Sequence, residues 1–279
     1  MIDFHTHSSA SDGTYSPAEL MGKAHELGIA TIALTDHDCI DGLAEAARTA
    51  AGLGLRFIQG VEIEIAFGPG EFHLLGLDLR IDLNKPDAVL VSALAELAQA
   101  RENRNREMVE RFIQQGYPLD YAELRAMYGS GSLGRPHIAE YLVKKGIVRN
   151  KQLAFDQFLA KGKPFFIQKD CFPLDRAIEL IHKAGGLAFV AHPMSLFVSW
   201  TRMRELLPAW KELGLDGVEA WHPLARIVDC ERLQKLAGEL ALRVSAGSDY
   251  HGPIRPDRQL GRTAGKRWME DHFLSAIER

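Results

Sequence analysis

Short apolar runs alternate along this chain with longer stretches in which apolar residues recur every three or four positions. That pattern predicts strands separated by amphipathic helices. The strand-like runs are Ile2–His5, Thr31–Thr35, Phe57–Ile65, Phe72–Leu79, Leu187–Ala191, Gly217–Trp221 and Arg243–Ala246. The helical stretches between them are Pro17–Leu27, Asp41–Gly52, Leu174–Ala184, Met203–Leu213 and Ala225–Leu240. The first helix carries its own start signal, with Ser16 as N-cap and Pro17 at the first helical position. Such alternation is the signature of a parallel sheet covered by helices. Seven strands predict an α/β barrel one unit short of (β/α)8, with ligands gathering at the C-terminal strand ends.

Between about Lys85 and Lys163 the alternation stops. Pro86–Gln115, Tyr121–Met127, Pro136–Lys145 and Gln152–Ala160 read as consecutive helices. Met108, Val109, Phe112 and Ile113 recur there at helical spacing, which predicts core packing rather than a binding face. The expected organisation is therefore a discontinuous barrel, 1–84 and 164–279, carrying a helical insertion at 85–163.

Composition narrows the function classes. With 279 residues and 46% hydrophobic content, the chain can build a substantial core. A net charge of −4 argues against a generic surface for long nucleic acid, while leaving room for a small anion in a local pocket. No apolar run approaches the roughly 18–20 residues that span a bilayer, so no membrane association is expected. The N-terminal residues lack a basic stretch followed by an apolar one, the mark of a secretory signal. Cys39, Cys171 and Cys230 are widely spaced without a C-x-x-C, which fits a reducing cytoplasm. Cys39 reads as a small buried hydrophobe rather than a ligand.

The titratable residues give the pattern its chemistry. His5 and His7 end the first strand two residues apart, which puts both on one face about 6.5–7 Å apart along the chain. Asp12 follows in the next loop, and Asp36-His37-Asp38 closes the second strand. Glu62 and Glu64 lie in the third strand, His73 in the fourth and His192 at the end of the fifth. Asp249 and His251 follow the last as a second period-two pair. A single histidine at a strand end is ordinarily polar surface. Six strands delivering His, Asp or Glu to one rim predict a metal centre, since carboxylates gathered there would repel without cations. Imidazole and carboxylate without thiolate suit Mn²⁺, Fe²⁺ or Zn²⁺ rather than Ca²⁺.

His5-x-His7, Asp12-Gly13, Thr35-Asp36-His37, Gly60-Val61-Glu62, His73, Ala191-His192-Pro193 and Ser248-Asp249-x-His251 together resemble the PHP (polymerase and histidinol phosphatase) metallophosphoesterase family. The resemblance implies a distorted seven-stranded barrel holding two or three divalent metal ions, Mn²⁺ first, with Zn²⁺ or Fe²⁺ as alternatives. It assigns His5, His7, Glu62 and Asp249 to one metal, and Asp12, His37 and His251 to a second. Glu62, as a bridge, would hold a third with His73 and His192. Asp12 and His37 would also face the substrate. Asp3, Asp36 and Asp38 are candidates to orient the ligating imidazoles. His222, at the end of the sixth strand, could contact phosphate, protonate the leaving group as a catalytic residue, or be structural.

The insertion carries a second resemblance. Arg101-Glu-Asn103-Arg104, Gly134-Arg135-Pro136-His137 and Phe158-Leu159-x-x-Gly162-x-Pro164 are similar to the subgroup acting on nucleoside 3′,5′-bisphosphates and short 5′-phosphorylated RNA. That implies substrate contacts from Arg101, Asn103, Arg104, Arg135 and His137, with the insertion as a lid. Arg135 would sit in the first turn of a helix whose N–H groups favour phosphate; the alternative is a surface arginine on a capped helix. Phe165-Phe166 stands where relatives often carry Tyr-Val. The expected activity is hydrolysis of the 3′-phosphate of a nucleoside bisphosphate by a metal-activated hydroxide, with trimming of short RNA from its 5′ end. The expected partners are thus a small nucleotide or short RNA, with no obligate protein partner. The rival readings are a phosphatase for another small phosphomonoester such as histidinol phosphate, and a non-catalytic polymerase-associated module.

Overall fold

A computed structural model describes residues 1–68, 70–84, 89–128 and 133–278. The chain divides into two compact units, one of Met1–Leu94 with Cys171–Arg279 and one of Ala95–Asp170. These bounds differ from the expected 85 and 163. The long helix that opens the helical segment starts its packing within the first unit, through Leu90, Ala93 and Leu94.

Among the described residues, the first unit contains eight strands. They are β1 (Ile2–Asp3), β2 (Thr31–Leu34), β3 (Arg56–Gln59), β4 (Val61–Ile65), β5 (Phe72–Leu77), β6 (Leu187–Val190), β7 (Gly217–Trp221) and β8 (Arg243–Ala246). They do not form the closed (β/α)7 barrel that the pattern predicts. β1-β2-β3 make one parallel sheet, and β4 to β8, in chain order, make a second, mixed sheet. Single bridges join the two, Thr6 to Tyr250 and His37 to Glu62.

Two features explain the departure. The expected strand Phe57–Ile65 breaks at Gly60, where the chain leaves one sheet for the other. A Cβ there would lie 2.7 Å from the Thr35 methyl and 3.0 Å from two backbone oxygens, so only glycine allows the crossing. The second feature is β5, antiparallel to both β4 and β6. Only residues 66–71 join β4 to β5, and a parallel return needs a dozen residues or more.

Helices α1 (Pro17–Glu26), α2 (Leu43–Leu53), α7 (Leu174–Lys183), α8 (Trp200–Glu212) and α9 (Ile227–Glu239) belong to this unit. α1 starts on a capping box in which Ser16 Oγ accepts the Glu19 N–H and Glu19 accepts the Ser16 N–H. α8 begins at Trp200, earlier than expected, because the Ser199 hydroxyl caps it by accepting the Arg202 N–H. Strand alternation separates two faces. Val61, Ile63 and Ile65 of β4 pack in the cluster holding Ile178 and Ile181 of α7, while Glu62 between them is turned away from that cluster.

The second unit holds most of α3 (Val89–Gln114) with α4 (Tyr121–Tyr128), α5 (Arg135–Lys144) and α6 (Lys151–Ala154), the last running into a π-turn at Phe155–Leu159. The expected start of α3 at Pro86 lies outside the described residues. Met108, Val109 and Phe112 do pack inward, with Leu124, Ile138 and Tyr141; Ile113, of the same expected set, is exposed.

Candidate metal centre

The ends of β1, β2 and β4 to β8 place seven histidines and four carboxylates together among the described residues. His5 and His7 share a face, and their Nε2 atoms lie 3.1 Å apart. Asp249 Oδ1 is 3.1 Å from His7 Nε2 and 3.5 Å from His5 Nε2, and Glu62 Oε2 is 3.3 and 3.2 Å from the same two atoms. These four residues are fully or almost fully buried and offer ligand atoms within 4.8 Å of one another.

Two further groups adjoin them. His7, Asp12, His37 and His251 form the second, with Asp12 Oδ1 3.2 Å from His251 Nε2. His37, Glu62 and His73 form the third, with Glu62 Oε2 3.0 Å from His37 Nδ1 and Oε1 3.0 Å from His73 Nδ1. His192 Nε2 also reaches Glu62 Oε1 at 2.8 Å, though it stands outside the third group as a common ligand point. Glu62, His7 and His37 thus serve two groups each.

The donor set fits divalent cations on an observation internal to the structure. His7 Nδ1, Glu62 Oε2, Asp249 Oδ1 and His251 Nε2 are buried without a hydrogen-bond partner among the described residues. Each nonetheless lies within 4 Å of other candidate ligand atoms. Buried polar atoms are ordinarily satisfied, and a cation between them would supply the missing partner.

Charge organises the site further. Burial alone would lower the pKa of His5 and His7, but facing carboxylates outweigh it. Glu219, Glu62 and Asp249 hold His5 well above its usual range, and the nearby carboxylates of Asp249 and Glu62 push His7 up to about 10. Burial would raise Glu62 and Asp249, yet the surrounding imidazoles hold both well below the carboxylate range.

Sequence reasoning missed three participants. Glu219, buried in β7, accepts the Nδ1–H of His5 at 3.0 Å and the backbone N–H of His192 at 2.7 Å. It thereby leaves His5 Nε2 free to ligate. Gly247 makes the contact possible, since a Cβ there would lie 2.2 Å from His5 Cβ and 2.4 Å from Glu219 Oε1. Arg258 is buried with its guanidinium against Asp249 Oδ2, so that only Oδ1 faces the histidine pair. Arg255 is the third, exposed on the same loop.

The expected helper carboxylates Asp3, Asp36 and Asp38 all lie beside the centre. Asp3 accepts the Ser248 N–H and hydroxyl and the Gly261 N–H, and burial raises its pKa to about 6. Asp36 accepts from Ser8 and Ser11, and Asp38 from the Glu64 N–H. Asp3 also accepts the His5 backbone N–H, so Asp3 and Asp36 hold backbone and loop groups around the centre while Asp38 holds β4.

A cleft of about 370 Å³ opens above the centre. His37, His73, His192, His222, Asp249 and His251 line it with Met194, Phe197, Leu224, Arg255 and Arg258. His222 is buried, and burial lowers its pKa. Its Nδ1 accepts the Leu224 N–H at 3.3 Å, so its Nε2–H donates to Asp249 Oδ2, also at 3.3 Å.

Five expected substrate contacts belong to the helical unit. Arg135 is the first residue of α5, its guanidinium 5.3 Å from the centre of the Phe166 ring. His137 Nδ1 accepts the Gly134 N–H and so caps that helix. Asn103 is exposed and bonded to Gln99, Arg101 is half-buried, and Arg104 is buried against Asn105. Phe165 stacks on Phe112 at 3.7 Å as a core residue.

Residues 3–207 match the PHP domain. The chain is 36% identical, over 90% of its own length and 90% of the relative's, to a 5′-3′ exoribonuclease of Haemophilus influenzae. It is 33% identical to a 3′,5′-nucleoside bisphosphate phosphatase of Chromobacterium violaceum, over 94% and 91% of the two chains. A solved structure from Bifidobacterium adolescentis, assigned as a metal-dependent phosphoesterase, superposes with a TM-score of 0.79 at 30% identity, covering 99% of this chain and 94% of that one. With its histidine and carboxylate groups in the positions described, the chain belongs to the PHP family and is a hydrolase acting on phosphoesters.

Proposed function

We propose that this chain removes the 3′-phosphate from nucleoside 3′,5′-bisphosphates and trims short 5′-phosphorylated RNA from its 5′ end. The observation that carries the reading is the set of three ligand groups linked pairwise by Glu62, His7 and His37 beneath a cleft that also presents two guanidinium groups. The names of the Chromobacterium and Haemophilus relatives support the substrate class.

His5, His7, Glu62 and Asp249 hold one divalent ion; Asp12, His37 and His251 hold a second; Glu62, His73 and His192 hold a third. Manganese is the proposed metal, with iron or zinc as alternatives. Bound ions of this kind lower the pKa of water and stabilise charge on phosphoryl oxygens. The protein's own residues do the rest. Arg255 and Arg258 bring positive charge to the cleft, where a phosphate's non-bridging oxygens need it. His222 keeps Asp249 oriented, and its Nε2 proton reaches a leaving oxygen only on letting go of that carboxylate.

The helical unit is proposed as the substrate lid, with Arg135 anchoring the second phosphate and Arg101, Asn103 and His137 near it. Arg104 is given the lesser part because it is buried within its unit. The proposed compartment is the cytoplasm, in keeping with three free cysteines. No described helix is long and apolar enough to cross a membrane. A phosphoester panel tests the reading: the account expects turnover of nucleoside 3′,5′-bisphosphates to exceed that of histidinol phosphate and simple alkyl phosphates. Equal turnover across the panel would contradict it.

A further inference from the structure

Phe197 is 77% exposed and Leu224 57% exposed, and both line the cleft above the metal centre. An exposed apolar side chain alone is ordinary; the placement of these two is not. Each is held by a cleft histidine's own loop. Phe197 ends the short 3-10 turn Pro193–Leu196 that follows His192, and the Leu224 N–H bonds His222 Nδ1. Leu196 is fully buried, so the loop is pinned in the core while the next residue is left in the open.

The backbone adds a second observation. Phe197 adopts φ 50° and ψ 37°, a left-handed conformation that is uncommon for a bulky residue. Asp38, His192 and Asp249 also have positive φ, at 48°, 27° and 51°. Such conformations gather at functional sites, where surrounding structure sustains them. His192 and Asp249 stand among the ligand groups and Asp38 bonds β4, but nothing yet described gives Phe197 a task. Two side chains are also too few for a protein interface, which needs roughly 1,000 Å².

We propose that Phe197, with Leu224 beside it, is the platform on which the substrate's nucleobase stacks while a phosphate sits over the metal centre. The inference rests on the nucleotide reading of the site and makes the base, rather than the phosphates alone, a source of selectivity. Every base has a π-face, so stacking on an aromatic ring gives affinity with little base preference.

The test compares Phe197→Ala and Phe197→Trp with the metal-loaded wild-type protein on a nucleoside 3′,5′-bisphosphate and on base-free ribose 3,5-bisphosphate. Calorimetric binding of the nucleoside 5′-monophosphate gives a readout independent of turnover. Phe197→Ala should raise KM and the monophosphate Kd by about 5- to 100-fold, with kcat within about twofold. The base-free substrate should be unaffected, and Phe197→Trp should restore both constants. Unchanged KM and Kd in Phe197→Ala, or equal losses on both substrates, would overturn the platform while leaving the nucleotide reading intact. Failure of the wild-type protein to release phosphate from the nucleoside bisphosphate would overturn that reading, and the platform with it.

Discussion

Replacing Glu62 with glutamine probes the centre at its most shared point. The side chain keeps its size, so packing survives, but one carboxylate oxygen becomes a donor and the charge is lost. In the native site Oε2 lies 3.2, 3.3 and 3.0 Å from His5, His7 and His37, and Oε1 lies 3.0 and 2.8 Å from His73 and His192. Whichever way the amide turns, at least two imidazole nitrogens face an N–H₂ group instead of an oxygen. A bond to a charged group is worth about 1.5–3 kcal/mol. Two ligand groups use this carboxylate, so the combined loss is about 3–6 kcal/mol, or roughly 10²–10⁴ in kcat/KM. The assay pairs metal content by mass spectrometry with phosphate-release kinetics and a thermal melt. Glu64→Gln is the control: Glu64 lies two residues on, half-buried with Cys171 Sγ 3.6 Å from its Oε1, and its loss should cost less than about threefold. Native metal content and turnover in Glu62→Gln would refute the shared-ligand reasoning.

Other consequences follow from single contacts. Gly247→Ala should push His5 from Glu219 and lower metal retention and kcat by at least about tenfold; a crystal structure of the variant with that bond intact and activity preserved would contradict this. Arg135→Ala should cost about 10- to 100-fold in kcat/KM on a 3′,5′-bisphosphate and leave an aryl phosphate unaffected; equal losses on the two would place Arg135 elsewhere in the chemistry. Prolonged chelation should abolish turnover and added Mn²⁺ restore it, whereas full activity in metal-free protein would rule out a metal-dependent reaction. In the metal-free protein His7 is raised from 6.5 to about 10, so its contribution to stability is complete below pH 6.5 and is lost as pH rises towards 10. Melting temperature in chelator should accordingly fall across that interval, and a flat or rising profile there would be inconsistent with the charges described.

The parts of the molecule legible in the sequence are those with a local period. His5-x-His7, Val61-Glu-Ile-Glu-Ile65 and Asp249-x-His251 announce which side chains share a face, because strand side chains alternate. The sheet break was harder to see, since Gly60 looks like any strand glycine until Thr35 and β5 close around it. The antiparallel β5 had a readable cue in its six-residue connection, too short for a crossover. Glu219 and Arg258 left no cue. An acid inside an apolar strand and an arginine in a turn-rich loop acquire meaning only when His5 and Asp249 come to meet them through tertiary packing. Arg104 belongs to the same class: its burial against Asn105 is set by packing that its motif does not announce.

The most direct test of the account is the identity of the products formed from adenosine 3′,5′-bisphosphate by manganese-loaded protein, followed by phosphorus NMR. The account predicts orthophosphate and adenosine 5′-monophosphate in equal amounts. Release of the 3′-monophosphate instead, or no orthophosphate from protein shown to carry its metals, would contradict it.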